Sequence, residues 1–277
     1  MCSKDVVTKL IGSVGDEKFG IGIIGGSGLN SLDFLKDVKS VCKKESNSIY
    51  DNILFGYYNR IRVLYIPRHG FFHEYSPSRV PYKSMMCALK NLGCTHIIAT
   101  TAVLSLNSNM KPGDFVIIDS LIDCTENREN TFHREHPCSC DELLLPTKGY
   151  KPFSEGMSRI LKIKADSLGI PCHLGGVVIT VEGPRFPSPA ESGLYANFGA
   201  DILNFTTVPE VILARELEMH YVAIAMITDF DPLFDSPKRN IDVILSTFQQ
   251  NVENLKCLLK NSLLDIASAD WTKENTN

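Results

Sequence analysis

A run of seven apolar residues at positions 221–227 is followed at once by Thr228-Asp229-Phe230-Asp231. A continuous apolar run rich in β-branched side chains predicts a strand buried on both faces, which is typical of an α/β sheet. Because side chains alternate along a strand, the carboxylates of Asp229 and Asp231 should point to the same side. Ligands of open α/β sheets bind at the carboxyl ends of strands, so these acids form a candidate site. A turn acid before Pro232 explains Asp231 equally well.

Charge and hydropathy exclude several classes of partner. The formal net charge is −4, so the chain lacks the basic surface of a nucleic-acid-binding protein. No apolar run approaches the roughly 20 residues of a membrane-spanning helix, and the first residues lack the apolar core of a signal peptide. Nine scattered cysteines indicate reduced thiols, and the pair Cys138 and Cys140 alone is a weak metal signal. We therefore expect a cytoplasmic protein, with the nucleus as a second location, that binds neither nucleic acid, membrane nor metal.

Strand and helix patterns alternate along the whole chain, which predicts an α/β fold. Strands are predicted at residues 18–24, 62–66, 94–102, 115–119, 175–181, 199–204 and 221–227. Helices are predicted at residues 31–35, 82–92, 154–168, 188–198, 210–218 and 241–264. No repeat or low-complexity linker divides the sequence, so residues 1–277 are interpreted as a single domain. The ends, 1–17 and 271–277, are expected to be poorly ordered tails.

A glycine-rich turn, residues 25–28, follows the first predicted strand. Such a turn leaves backbone N–H groups free to contact an anion, and the hydroxyl of Ser27 adds a donor. A literal G-x-G-x-x-G occurs at Gly20, Gly22 and Gly25, but these glycines lie within the predicted strand. We therefore reject a dinucleotide-binding fingerprint. A plain tight turn explains the glycines equally well.

Two further strand ends carry groups suited to an oxyanion. Arg68 and His69 follow the strand at 62–66; arginine offers a planar fork of donors, and histidine adds a donor or moves a proton. Thr101 and Ala102 end the strand at 94–102 and can present a hydroxyl and a backbone N–H. A surface loop would account for the Arg-His pair equally well.

Two other segments bear on the site. Residues 125–152 form a polar, proline-broken excursion, which is typical of a lid or a subunit contact. The last predicted helix places Ile241, Ile244 and Leu245 on one face at i, i+3 and i+4 spacing. This face either lines a pocket or packs against the core.

Taken together, these stretches resemble the trimeric purine nucleoside phosphorylases, and within them the branch that acts on 5′-methylthioadenosine. The resemblance follows the family's order from about residue 19 to about residue 265. The residues on which the resemblance rests are 23–29, 68–70, 100–102, 116–123, 181–186, 190–192, 199–201, 206–210 and 228–231, together with Asn204.

The resemblance implies a central mixed, twisted β-sheet, partly barrel-like and flanked by helices, in a homotrimer. It implies that phosphate, a co-substrate rather than a cofactor, attacks the anomeric carbon of a nucleoside while the purine leaves through an oxocarbenium-like state. No cofactor is implied. The residues implied around the phosphate are Ser27, Arg68, His69, Thr101, Ala102 and Thr206.

The resemblance also assigns the nucleoside side of the site. Asp229 is the catalytic residue and serves the purine N7, and Asp231 recognises the 6-amino group, so the two acids favour adenine. Phe205 packs under the ribose, and Phe186 and Phe230 also contact the substrate. The residues implied in specificity are Pro187, Ile241, Ile244 and Leu245, the last three lining an apolar pocket for a 5′-alkylthio group.

Four positions depart from the family pattern. The family usually has Gly at Leu104, Met at Phe205, Ser at Pro187, and a neighbouring subunit's His near Leu144. Leucine at position 104 would crowd the phosphate loop or forbid a positive φ. The leading hypothesis is phosphorolysis of 5′-methylthioadenosine to adenine and 5-methylthioribose 1-phosphate, a step of methionine and purine salvage. The alternatives are a broader adenosine or 6-oxopurine phosphorylase and a catalytically impaired nucleoside-binding relative.

Overall fold

The apolar run at 221–227 is the centre of a strand, His220–Phe230, that pairs in parallel with His96–Ser105. The computed structural model describes residues 20–29, 31–41, 53–132, 151–231 and 241–271, without the side chains of Ile241, Val243 and Ile244. The described strands are β1 (Ile21–Gly25), β2 (Lys36–Ser40), β3 (Leu54–Tyr58), β4 (Ile61–Pro67), β5 (His96–Ser105), β6 (Phe115–Ile117), β7 (Ser120–Cys124), β8 (Cys172–Leu174), β9 (Val177–Val181), β10 (Ile202–Asn204) and β11 (His220–Phe230). The described helices are α1 (Tyr82–Asn91), α2 (Glu155–Ser167), α3 (Pro189–Asn197), α4 (Thr207–Glu216) and α5 (Ile241–Ser268).

All eleven strands belong to one mixed sheet that branches at β5. The path runs β2-β3-β4-β1-β5-β10-β9-β7, while β11 pairs with β5 and leads through β6 to β8. Strands β4, β1, β5 and β11 are parallel to one another, so their carboxyl ends meet at one edge. Strand β10 runs antiparallel to the last residues of β5. The carboxyl end of β10 therefore points back towards the same edge. The predicted α/β class and mixed sheet are confirmed, and the sheet is open rather than closed into a barrel.

The centre of the sheet is buried on both faces, since alternate residues of β11 belong to two different core clusters. Tyr221, Ala223 and Ala225 pack with residues of α1 and α4, whereas Val222 and Ile224 pack with residues of α2 and α5. This two-sided burial explains why the run is continuously apolar instead of alternating. It also confirms the parallel-sheet interpretation of the sequence.

Several elements differ from the sequence prediction. The helix predicted at 31–35 is a turn in which the N–H of Leu35 donates to the carbonyl of Leu32 at 3.1 Å. Strands β7 and β8 were not predicted because each is short and neither is fully buried. Trp271, assigned to the tail, packs against the rings of His96 and His220. The rest of the two predicted tails lies outside the described residues.

Two composition-based expectations concern cysteines and membranes. All five cysteines in the described part of the chain are free thiols: Cys87, Cys94, Cys124, Cys172 and Cys257. The pair at 138 and 140 lies outside the described residues. Among the described helices, none combines the length and the apolar character that crossing a membrane requires.

Candidate functional site

A cavity of about 520 Å³ lies at the edge where the parallel strands end. Strands β1, β4 and β5 are neighbours, so the segments that follow β1 and β4 converge beside Thr101 and Ala102 of β5. The predicted end of this strand at residue 102 is wrong, because β5 continues to Ser105. The cavity is lined by all six residues predicted to surround an anion: Ser27, Arg68, His69, Thr101, Ala102 and Thr206. It is also lined by Phe205, predicted to contact the nucleoside, and by His73, Glu74, Tyr75, Ser76, Pro77 and Pro184.

Arg68 is 3% exposed and is held by a buried carboxylate. Its Nε and Nη2 donate to the two carboxylate oxygens of Glu210, the second at 2.9 Å, and its Nη1 donates to the carbonyl of Thr100 at 2.8 Å. Burial alone would lower the pKa of the Arg68 guanidinium, but the charge and hydrogen bonds of Glu210 outweigh burial and raise it. Three of the five guanidinium N–H groups are used in this way, which leaves two for an anion.

The glycine turn packs too closely against this arginine to accept a side chain. A Cβ on Gly26 would lie 2.4 Å from the carbonyl oxygen of Thr100 and 2.9 Å from Nη1 of Arg68. The N–H of Gly26 donates to Oγ1 of Thr100 at 2.9 Å, so the turn is fixed to β5. Residue 26 must therefore be glycine, and the neighbouring Ser27 reaches the cavity.

Asn204 orients the hydroxyl groups on the opposite wall. Its Nδ2 donates to Oγ1 of Thr101 at 3.1 Å and to Oγ1 of Thr207 at 2.7 Å. Its Oδ1 accepts from the Thr180 hydroxyl at 3.0 Å and from the N–H of Thr206 at 3.4 Å. Thr101 accepts from Asn204, and its own hydroxyl donates only a long hydrogen bond, 3.4 Å, to the carbonyl of Ala102, so an anion can replace that acceptor. Asn204 thus fixes two of the candidate anion ligands without lining the cavity itself.

His69 is a neutral histidine with a defined tautomer. Its Nδ1 lies 2.9 Å from the carbonyl oxygen of Tyr75, and a carbonyl can only accept, so Nδ1 carries the proton. Burial and the neighbouring Arg68 charge lower the pKa of His69 to about 4. The ring stacks on His73 with centroids 5.6 Å apart. At neutral pH the second nitrogen, Nε2, is therefore a hydrogen-bond acceptor.

The nucleoside side of the cavity begins at Phe205. A Cβ on Gly183 would lie 2.9 Å from the Phe205 ring, so residue 183 leaves room for this side chain. The ring of Phe186, which is 61% exposed, lies 5.9 Å from that of Phe205. Pro187 is buried and lines a separate cavity of about 200 Å³.

The structure does not bring the two predicted carboxylates into the main cavity. Asp229 is half-buried at the end of β11, opposite Leu104, and Phe230 lies opposite Ser105, after a register shift that follows Ile227. Asp231 is buried, and its N–H donates to the carbonyl of Ser105 at 2.8 Å. Asp229 lies beside Leu104, which is three residues beyond Thr101 on β5. Three strand residues span about 10 Å, so the acids lie at about that distance from Thr101 along the sheet.

The remaining specificity residues are placed in part. Leu245 is 53% exposed on the first turns of α5, and the assignment of this helix face to a pocket stays a prediction. The side chains of Ile241 and Ile244, and the whole of Leu144, lie outside the described residues. Leu104 lies within β5 and is not at a positive φ, so the predicted backbone conflict there does not occur.

Sequence reasoning missed the residues that hold the site together. Glu210 was noted only as the end of a motif, yet it is fully buried and pairs with Arg68. The sequence signal for the burial of Glu210 is its position among the apolar residues of Val208–Leu213. Asn204 likewise carried the resemblance without a predicted role. Among the described residues, no group of three or more His, Cys, Asp or Glu side chains could hold a metal ion.

Comparisons with known proteins identify similar chains. Residues 20–263 match the model of the phosphorylase superfamily. The chain is 41% identical to S-methyl-5′-thioadenosine phosphorylase of Xenopus tropicalis over 259 residues, covering 91% of each protein. It is 39% identical to the enzyme of that name from Ciona intestinalis, covering 86% of each.

Solved structures agree with these relatives. Methylthioadenosine phosphorylase from Schistosoma mansoni in complex with tubercidin has a TM-score of 0.79 and 35% identity, covering 92% of this chain and 94% of that one. A variant of the adenosine/methylthioadenosine phosphorylase from the same organism, in complex with methylthioadenosine, has a TM-score of 0.79 and 34% identity, covering 93% and 95%.

Proposed function

Because this chain belongs to the phosphorylase superfamily, we propose that it cleaves 5′-methylthioadenosine with phosphate, yielding adenine and 5-methylthioribose 1-phosphate. This activity makes it a pentosyltransferase of methionine and purine salvage, as its relatives' names imply. The observation that carries the proposal is the convergence of six candidate anion ligands from four neighbouring strands and the loops after them on one cavity that Phe205 also lines. Phosphate is the co-substrate, no cofactor is required, and the enzyme acts in the cytoplasm.

The anion ligands place phosphate for attack on the anomeric carbon. The two free N–H groups of Arg68 and the hydroxyls of Ser27, Thr101 and Thr206 donate to its oxygens. Arg68 and Thr101 are held by hydrogen bonds with Glu210 and Asn204 that exist before phosphate arrives, so these two donors stabilise charge with little reorganisation. The ribose lies against Phe205, between the phosphate and the base.

The purine extends along the sheet edge towards the end of β11. The distance of about 10 Å between Thr101 and Leu104 along β5 is within the length of a purine nucleoside. Asp229, opposite Leu104, serves N7 of the leaving base, and Asp231 recognises the 6-amino group. Protonation or hydrogen bonding at N7 removes negative charge from the leaving purine and lowers the barrier to cleavage.

A second candidate substrate is adenosine. The Schistosoma mansoni relative carries both substrates in its name, and the nucleoside side of the present cavity is formed by Phe205, which excludes neither. The two nucleosides differ only at the 5′ position. Their specificity constants therefore report on the 5′ pocket and not on the cleavage chemistry.

We also infer that the chain forms a homotrimer. The exposed side chains of Phe186, Leu194 and Phe198 leave apolar area around α3 that association would bury. Light scattering coupled to size-exclusion chromatography tests this assignment. A mass near 30.8 kDa would mark a monomer and contradict it.

The decisive test is base release from a panel of 5′-methylthioadenosine, adenosine and inosine, each with and without phosphate. We expect adenine and a sugar 1-phosphate from the methylthio nucleoside only when phosphate is present. Equal base release without phosphate would show a hydrolase. Binding of nucleoside without any turnover would show a catalytically impaired relative.

A further inference from the structure

Arg128 lies beyond β7, at the start of the excursion predicted at residues 125–152, and its side chain is only 2% exposed. Its guanidinium reaches two loops that flank the cavity: the β9–α3 loop, which contains Pro184 and Phe186, and the β10–α4 loop, which contains Phe205 and Thr206. A buried charge in this position is costly unless it is fully hydrogen-bonded. The contacts of Arg128 show what this charge does.

The β10–α4 loop and the first turn of α4 are held by Nη1 of Arg128. This nitrogen donates to the carbonyl of Phe205 at 2.6 Å and to the carbonyl of Val208 at 2.8 Å. The two carbonyls flank Thr206, whose hydroxyl is a candidate phosphate ligand. One nitrogen atom therefore fixes the backbone on both sides of that ligand.

The β9–α3 loop is held by Nη2 of the same guanidinium. This nitrogen donates to the carbonyl of Glu182 at 2.6 Å and lies 3.5 Å from that of Val181. Gly183 and Pro184 follow directly, and Gly183 is the residue on which the Phe205 ring packs. The two loops thus meet at the cavity wall and are joined behind it by one side chain.

The charge of Arg128 is balanced locally. Its Nε donates to the Glu182 carboxylate at 3.3 Å, and that carboxylate also accepts from the N–H of Glu126 at 3.0 Å. The guanidinium carbon lies 5.6 Å from the Tyr82 ring centroid, which adds a cation–π contact. The result is a closed network that ties the segment after β7 to both loops.

We propose that Arg128 is a positioning residue that sets the β10–α4 loop against the β9–α3 loop, and so places Thr206 and Phe205 for phosphate and nucleoside together. The expected changes in KM rest on the proposed function, whereas the expected change in the order of the two loops does not. Lysine cannot replace arginine in this role, because a single ammonium cannot reach carbonyls on two loops with a planar fork of donors.

Arg128→Lys tests the proposal, and Arg62→Lys is its matched control. Arg62 is also buried, at 6% exposure, but it lies on β4 over the ring of Phe55 and away from both loops. We expect Arg128→Lys to raise the KM values for phosphate and for nucleoside at least tenfold each, with a smaller fall in kcat. Arg62→Lys should leave both KM values within about twofold of wild type.

Hydrogen–deuterium exchange reads the loops independently of turnover. In Arg128→Lys, peptides covering residues 181–187 and 205–209 should exchange at least tenfold faster, whereas the same peptides should be unchanged in Arg62→Lys. If the wild-type protein shows no phosphorolysis, the proposed function is wrong, but the exchange rates of the two loops still test the role of Arg128. Normal exchange and normal KM values in a folded Arg128→Lys would overturn the positioning role. Failure of Arg128→Lys to fold while Arg62→Lys folds would reduce Arg128 to a stability residue and would also overturn it.

Discussion

The guanidinium of Arg68 and the carboxylate of Glu210 form a two-pronged ion pair with side chains 2% and 0% exposed. The hydroxyl of Tyr221 also donates to this carboxylate, at 2.9 Å. The pair has no net charge, so the cavity attracts an anion through the direction of its N–H groups more than through excess positive charge. Glu210 therefore controls where those N–H groups point, although it does not line the cavity.

Glu210→Gln should weaken phosphate binding. A glutamine side chain offers one acceptor oxygen where the carboxylate offers two, and it leaves the Arg68 charge unbalanced, so the guanidinium will rotate. We expect at least a tenfold higher KM for phosphate and a loss of stability of about 3–5 kcal/mol, as for other broken buried pairs. Initial rates at varied phosphate, with a urea titration, measure both effects.

The control for this substitution is Glu216→Gln on the same helix, where the carboxylate accepts from the backbone of Phe132 at 2.7 Å and is half-buried. It should leave the phosphate KM unchanged. Arg68→Ala should raise that KM more than Glu210→Gln, since a charge-assisted hydrogen bond contributes about 1.5–3 kcal/mol. An unchanged KM in Glu210→Gln would contradict the orienting role of this carboxylate.

The state of His69 predicts a preference between two anions of the same shape. Neutral His69 presents Nε2 as an acceptor, which suits the P–OH of phosphate but faces only lone pairs on sulfate. We expect phosphate to bind at least tenfold more tightly than sulfate at about pH 8, equivalent to about 1.4 kcal/mol. Isothermal titration calorimetry measures the two dissociation constants.

His69→Gln provides the comparison for this preference. The amide of glutamine can donate as well as accept, so the phosphate-to-sulfate ratio should fall towards one. Equal affinities for both anions in the wild-type protein would show that His69 donates when the anion is bound. The tautomer assignment for the occupied site would then be wrong.

The sequence predicted most of the anion site because its residues lie directly after apolar runs that could only be buried strands. Ser27, Arg68 and Thr101 each follow such a run, and parallel pairing brings the ends together. The supporting residues were not predictable in the same way. Arg128 resembles an ordinary surface charge in the sequence, and only tertiary packing shows that it is buried. The apolar neighbours of Glu210 indicate its burial, but they do not indicate its pairing with Arg68. The turn at 31–35 was predicted as a helix because buried Leu32 and Leu35 have helical spacing, but they are joined by a single i to i+3 turn bond and no α-helix forms.

Asp229→Asn should reduce turnover on adenine nucleosides at least tenfold. An amide cannot take up and transfer the N7 proton, and general acid catalysis contributes about 10²–10⁴-fold. A substrate analogue with carbon in place of N7 serves as the control, because it should react equally slowly with both proteins. Full activity of Asp229→Asn on adenosine would show that Asp229 only caps the end of β11.

The cluster of His96, His220 and Trp271 predicts a loss of stability in acid. Burial and the neighbouring His220 lower the pKa of His96 to about 4 from the ordinary 6.5. The folded state therefore binds fewer protons than the unfolded state, so the stabilising contribution is complete above about pH 6.5 and is lost as the pH falls towards 4. The full difference is about 3 kcal/mol.

Urea unfolding at several pH values between about 7.5 and 5 measures this loss. His96→Phe keeps a ring against Trp271 and removes the titrating group, so its stability should fall less over the same range. His69 also has a lowered pKa and contributes to acid sensitivity in both proteins, which makes the difference between them the informative quantity. Parallel pH dependence in the two proteins would contradict the assignment to His96.

The final prediction concerns the 5′ group of the nucleoside. Leu245 is 53% exposed near the start of α5, and the ring of Phe248, one turn later, packs on Gly28 of the turn that carries Ser27. An apolar 5′-methylthio group gains from contact with such side chains, whereas a 5′-hydroxyl loses water there without a partner, at a cost of about 1–3 kcal/mol. We expect 5′-methylthioadenosine to exceed adenosine in kcat/KM by about tenfold or more.

Leu245→Gln tests whether this helix face forms the 5′ pocket, because a polar side chain should favour the hydroxyl. The ratio of kcat/KM for the two nucleosides should fall at least threefold, with the change concentrated in KM. Leu264→Gln is the matched control, since Leu264 is 44% exposed on the same helix, about 28 Å away along its axis, and should leave the ratio unchanged. An unaltered ratio in Leu245→Gln would place Leu245 outside the pocket. Equal constants for the two nucleosides in the wild-type protein would make it a general adenosine phosphorylase.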